Sequence, residues 1–166
     1  MEKLKQCLQE ALSVLENAKI VFPAEATVNI YHHCGVENFI QIGAVFINIV
    51  NRSYCKSYVI MLPGQRYPKH YHKIKVESFY VLYGTLNVKL NDKVYRLSAG
   101  EMLNIDRGQD HEFWSEAEVV FEEISTLYTA NDSFYEDSDI SKTSYAQRRT
   151  TISPKEWKEI YYQWKK

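Results

Sequence analysis

His70 and His72 are separated by a single residue, so on an extended strand both imidazoles leave the same face. Glu77 follows five residues after His72, and His111 stands 34 residues beyond Glu77 at the start of a later run. Lys73 and Ile74 are placed to bend the chain into a strand on which Glu77, Phe79 and Val81 share a face. Three imidazoles and one carboxylate make a mixed nitrogen and oxygen donor set that suits Mn, Zn, Fe, Ni or Co. The expected cofactor is one divalent metal ion held by His70, His72, Glu77 and His111, with Mn the leading candidate. Because the protein supplies four ligands at most, an octahedral ion keeps open positions for a substrate.

Other residues have chemistry to offer around this set. Lys75 shares parity with Glu77 and can face the same interior; the alternative is a solvated lysine on a rim. One of Glu122 and Glu123 must point inward if their run is a strand. Val119 and Phe121 share the parity of Glu123, whereas Val120 and Ile124 support the opposite phase. Arg66 either holds an anionic or hydroxyl-rich substrate or lies on the surface. Tyr67, Tyr71, Tyr80 and Tyr83 either form a wall for a sugar to stack on or pack in core and interface, and Arg66 and Tyr80 are assigned to substrate binding. His32, His33 and Cys34 resemble a metal cluster, but neighbours on a strand point to opposite faces and cannot all reach one ion. A structural or interface role is expected for them.

The elements that must position these groups follow from the hydrophobic pattern. Leu4, Leu8, Leu12 and Leu15 repeat at helical spacing, giving an N-terminal helix within residues 1–20. Charges at Glu2, Lys3, Lys5, Glu10 and Glu16 interrupt that helix, so it does not read as a signal peptide. From residue 26 to 130 the chain turns to short β-type runs: 39–50, 57–62, 76–83, 86–90, 93–97, 102–105, 111–114 and 118–124. Asn91-Asp92 supplies a hairpin turn. Residues 131–152 form a polar arm, either ordered or partly mobile. Ser153, Pro154 and Glu156 form a capping box opening a C-terminal helix over 153–166 that aligns Trp157, Ile160, Tyr161 and Trp164. The 166 residues thus read as one domain. Twenty basic against 21 acidic residues exclude an electrostatic footprint for nucleic acid or an anionic membrane. There is no uncharged apolar stretch long enough to span a bilayer. Three cysteines without a CxxC pair fit a reducing, cytoplasmic setting.

Gly64, His70, His72, Glu77 and Gly84 resemble the first motif of the cupin superfamily, and Gly100, Gly108 and His111 its second. Asp106 stands where that family usually has Pro, and Ser115 where it often has Asn. The resemblance covers about residues 58–127 and implies an all-β fold, a single double-stranded β-barrel (jelly roll) with the metal inside and helices at its flanks. The flanking sequence, His70 to Glu77, is similar to the HxHxxKxE form of cupin sugar isomerases of the D-lyxose isomerase type. In that group the lysine matching Lys75 and a glutamate matching Glu123 lie beside the metal and are implied to be catalytic. Residues 49–135 also resemble cupin modules fused to N-acetylneuraminate synthase-like enzymes. The function implied is metal-dependent aldose–ketose isomerisation of a small sugar by a homodimer. The alternatives are a non-catalytic, metal-containing sugar-binding module in nonulosonate or surface-polysaccharide synthesis, or a metal-dependent dioxygenase. The apolar run 39–50 is a further reason to expect a dimer.

Overall fold

The computed structural model describes residues 2–127, 129 and 131–164. Met1, Tyr128, Ala130, Lys165 and Lys166, included in the expected boundaries, lie outside the described residues. In chain order the elements are α1 (Glu2–Asn17), β1 (Thr27–Tyr31), β2 (Ala44–Asn51), β3 (Tyr54–Met61), β4 (Arg66–Tyr71), β5 (Glu77–Tyr83), β6 (Thr85–Leu90), β7 (Lys93–Ser98), β8 (Met102–Ile105), β9 (His111–Trp114), β10 (Val119–Thr126), β11 (Phe134–Tyr135), α2 (Ser138–Lys142), β12 (Arg149–Ile152) and α3 (Pro154–Trp164). The strands form two antiparallel sheets, β12-β1-β2-β3-β10-β5-β8 and β11-β4-β9-β6-β7, which face each other as a jelly-roll barrel. The all-β expectation holds.

Strand alternation divides the apolar residues between two cores. Phe46, Val59, Phe79, Val81 and Phe121 point into the barrel and meet Val88 and Phe113 of the opposite sheet. Residues of opposite parity on the large sheet, among them Val28, Val45, Ile47 and Ile60, point outward and are capped by Leu8, Leu12 and Leu15 of α1. Trp157 of α3 is fully buried against Phe22, with ring centroids 5.5 Å apart. A tryptophan buried this way contributes about 3–5 kcal/mol when compared with alanine. The capping box forms: Ser153 Oγ accepts from the Glu156 amide at 3.3 Å, and Glu156 Oε2 accepts from the Ser153 amide at 3.1 Å.

One sequence expectation changes, and one open alternative closes. The run 39–50 is not one strand: a 3-10 turn (Val36–Asn38) and a bend precede β2, which begins at Ala44. Within the run, Phe39, Ala44, Val45, Phe46 and Ile47 are taken up by the two cores, while Ile40 is exposed. The polar arm is built rather than loose. It adds β11 to the edge of β4 and β12 to the edge of β1, with α2 between them. Ile140 and Asp132 anchor it inside.

Gly84 makes the crossing between sheets possible. It joins β5 to β6 at a φ of 78°, and a Cβ there would run into the Glu118 carbonyl.

Candidate metal centre

β4 carries His70 and leads into His72, β5 opens with Glu77, and β9 opens with His111. Register brings the three strand ends together: His70 pairs with His111 across β4 and β9, while β5 belongs to the facing sheet. Tyr67 and His70 both face inward although three residues apart. A register shift between them, around Pro68, re-aims the strand. One ligand-type atom from each of His70, His72, Glu77 and His111 lies within 4.8 Å of the others, and all four residues are buried.

The imidazole tautomers follow from the partners of Nδ1. His70 Nδ1 lies 2.8 Å from the Pro68 carbonyl, His72 Nδ1 2.7 Å from the Asp132 carbonyl, and His111 Nδ1 3.0 Å from the Gln109 carbonyl. A carbonyl only accepts, so each Nδ1 carries the proton and each Nε2 presents a lone pair. His72 Nε2, His111 Nε2 and Glu77 Oε1 are buried with no hydrogen-bond partner among the described residues. Yet Oε1 stands 2.9 Å from His111 Nε2 and 3.5 Å from His72 Nε2. Lone pairs packed this closely, without protons between them, repel unless a cation sits among them. The group could hold a metal ion, and its donor chemistry fits one. Burial and the neighbouring His111 and His72 hold His70 well below the usual histidine range, which keeps it in the neutral, ligating form.

Lys75 lies beside this group. Its Nζ pairs with Glu77 Oε2 at 2.5 Å and Glu123 Oε1 at 3.0 Å. Burial opposes its charge, but Glu123 and Glu77 outweigh burial and raise its pKa above the ordinary lysine value. Burial likewise opposes ionisation of Glu77, and the adjoining Lys75 ammonium outweighs it, holding that carboxyl well below its usual range. Glu123 shares the inward phase of Val119 and Phe121, while Glu122 points out and pairs with Lys56 at 2.7 Å. A cavity of about 630 Å³ is lined by His70, His72, Lys75, Glu77 and Glu123. Its far wall is polar, with Asn48 accepting from Ser57 Oγ at 2.9 Å and Asn29 from Thr151 Oγ1 at 2.8 Å.

Residues 57–127 match the family model described as the cupin domain. The matched stretch runs from within β3 to the end of β10 and contains all four of His70, His72, Glu77 and His111. Over 74 residues the chain is 34% identical to the tetracenomycin polyketide synthase protein TcmJ of Streptomyces glaucescens, a match covering 42% of this chain and 49% of that protein. The chain therefore spans about half the length of this curated relative. The L-ribose isomerase of Geodermatophilus obscurus superposes with a TM-score of 0.69 at 16% identity, covering 86% of this chain and 96% of that one. The Cellulomonas parahominis L-ribose isomerase gives 0.67 at 15% identity, covering 85% and 94%. At these identities the likeness is one of fold.

Two residues assigned to substrate lie elsewhere in the barrel. Arg66 projects outside the barrel, its side chain 56% exposed, over the Trp114 ring at 4.9 Å and 3.6 Å from Glu112. Tyr80 alternates with Phe79 and Val81 and so faces the outer side of β5. Neither lines the cavity. Of the other tyrosines, Tyr67 does line it, whereas Tyr71 stacks on Phe134. His32 lies 3.2 Å from Thr150 Oγ1, and His33 is sealed among Tyr67, Tyr135 and Tyr31 rings, which fits a structural role. Ser115 donates from Oγ to the Thr85 carbonyl at 2.8 Å, tying the Gly64 turn to β6.

Sequence reasoning missed Asp132 and Tyr135. Asp132 is buried; its carboxylate accepts from the amides of Lys73, Ile74 and Lys75 at 2.9–3.1 Å while its carbonyl holds His72. It fixes the bend between His72 and Glu77 from 55 or more residues away. Tyr135 stacks on His70 at 5.2 Å. Pairing between the arm and β4 leaves no local signal in the sequence.

Proposed function

We propose that this cupin is a metal-dependent aldose–ketose isomerase of a small sugar or sugar derivative, with His70, His72, Glu77 and His111 as ligands. The observation that carries the reading is the Lys75–Glu123 ion pair set against Glu77 in the same cavity as the histidines. Nearly whole-chain likeness to two L-ribose isomerases supports it. A divalent ion, Mn first among the candidates, would hold a carbonyl and its adjacent hydroxyl oxygen and polarise the carbonyl.

The chain's own residues supply the proton chemistry. Glu123 takes the proton from the carbon beside the carbonyl and returns it to the neighbouring carbon, while the hydroxyl proton moves to the former carbonyl oxygen. Lys75, held between two carboxylates, keeps its proton and stabilises negative charge developing on oxygen. The polar wall of Asn29, Asn48 and Ser57 meets the remaining hydroxyls. A dioxygenase needs neither the inward lysine nor the second glutamate. The working form is read as a cytoplasmic homodimer.

The test is metal analysis of the purified protein, followed by a panel of aldoses and ketoses with added Mn in D2O. Conversion of at least one sugar, with deuterium placed beside the carbonyl, is expected. Binding of several sugars without conversion of any would replace the enzyme by a sugar-binding module.

A further inference from the structure

The cavity holds more positive charge than the isomerisation chemistry requires. Four lysines and arginines line it against three glutamates, and a lysine engages each glutamate: Lys75 takes Glu77 and Glu123, and Lys158 takes Glu25 at 2.7 Å. The other two cations are Arg148 and Arg149. Arg148 is only 8% exposed, and its Nε is buried with no partner among the described residues. Its guanidinium lies 4.9 Å over the Tyr135 ring, the same ring that stacks on His70 at 5.2 Å. The backbone holds it there, since the Arg148 carbonyl accepts from the His32 and His33 amides at 3.0 Å and its own amide donates to Ser144 at 3.2 Å. Arg149 enters from β12, 3.8 Å from the Tyr145 ring and donating to Tyr31 Oη at 3.3 Å. Burying a guanidinium without an anion is costly, and a planar fork favours carboxylate or phosphate oxygens.

We propose that the sugar taken by this site carries an acidic group, a carboxylate or a phosphate, which Arg148 receives at the end of the cavity away from the reacting carbons, with Arg149 beside it. The inference rests on the sugar-isomerase reading for the identity of the ligand, but not for the anion preference itself. One ring separates Arg148 from His70, so a single small molecule can reach both.

The test is calorimetric titration of the purified wild-type protein with four probes: ribose, ribose 5-phosphate, galactose and galacturonate. At least one acidic sugar should bind about ten- to a hundredfold tighter than its neutral counterpart, the size of one charge-assisted contact. The phosphate and carboxylate arms separate the two sources of charge. Arg148→Gln should erase the preference for the acidic sugar over its neutral counterpart, and Arg148→Lys should retain part of it. Equal affinity for acidic and neutral sugars in the wild type overturns the inference, whether or not the variants fold. Turnover of neutral sugars with no acidic preference would overturn the inference and leave the isomerase standing. An acidic preference lost in Arg148→Gln without turnover of any sugar would uphold the inference and sink the isomerase. If none of the four probes binds, both fall.

Discussion

The ion pair between Lys75 Nζ and Glu123 Oε1 at 3.0 Å lets the two side chains be tested separately. Glu123→Gln keeps the volume and leaves the four metal-type residues untouched. Metal content should be unchanged, and turnover of any converted sugar should fall about 10²–10⁴-fold, the usual contribution of a general base. Loss of metal along with activity would count against a base role. Lys75→Met is different, because it leaves Glu77 and Glu123 close together in a buried site without their cation. Removing one partner of such a group costs about 3–5 kcal/mol, so the urea midpoint should drop sharply. Adding Glu123→Gln to Lys75→Met should recover part of that loss; additive destabilisation in the double-mutant cycle would deny the coupling. His33 makes a separate pH prediction. Burial, with Arg148 and His32 nearby, lowers its pKa to about 3. In the unfolded chain it takes up a proton near the ordinary value of about 6.5. Its contribution is therefore complete above that value and drains away as pH falls from about 6.5 towards about 3. By pH 5 the loss is about 2 kcal/mol. His33→Phe should flatten this part of the stability-against-pH curve between pH 7.5 and 5. An unchanged acid slope would show that other groups set it.

Asp132 decides how firmly β4 is joined to β5. Three consecutive amides of the bend at 73–75 end on its carboxylate, and the bend lies between His72 and Glu77. Asp132→Ala leaves those amides without their acceptor and slackens the segment whose backbone carbonyl, kept in the variant, holds the His72 ring. Loss of such support lowers metal affinity about 10–100-fold, and that weakening is expected by titration with a competing chelator. Unaltered affinity would place the support elsewhere. This residue also marks where the sequence stopped being legible. His70, His72 and Glu77 could be paired because strand parity is a local property, and the inward phase of Glu123 could be weighed from Val119 and Phe121 for the same reason. Arg66 was misplaced because the bulge before His70 changes which face the strand presents, whereas the outward face of Tyr80 was legible from its parity, opposite to Glu77, Phe79 and Val81. The roles of Asp132, Tyr135 and Arg148 arise from a polar arm folding back on β4 and β1. Pairings of that range carry no periodicity to read. The split of the run 39–50 at Ala44 was hidden for another reason: apolar residues of a turn and of a strand look alike when both are buried.

At the scale of the whole molecule, the candidate centre joins the two sheets. His70, His72 and His111 come from the β4–β9 side and Glu77 from β5 on the opposite sheet. An ion bound among them would act as a cross-link between layers that otherwise meet through apolar side chains such as Phe79 and Phe113, with centroids 5.2 Å apart. Their unpaired lone pairs disfavour the folded metal-free form, whereas the unfolded chain disperses them in water. Binding to the folded state alone then raises stability by mass action, about 2.7 kcal/mol at a metal concentration one hundred times Kd. For a chain of this size that corresponds to about 5–11 °C in Tm. Protein stripped with a chelator should melt lower by that amount and regain it on addition of Mn. His111→Ala should melt lower still, through the cavity it creates, and should lose most of the metal-dependent rise. If elemental analysis shows one ion per chain while Tm is the same with and without it, the centre does not bridge the sheets.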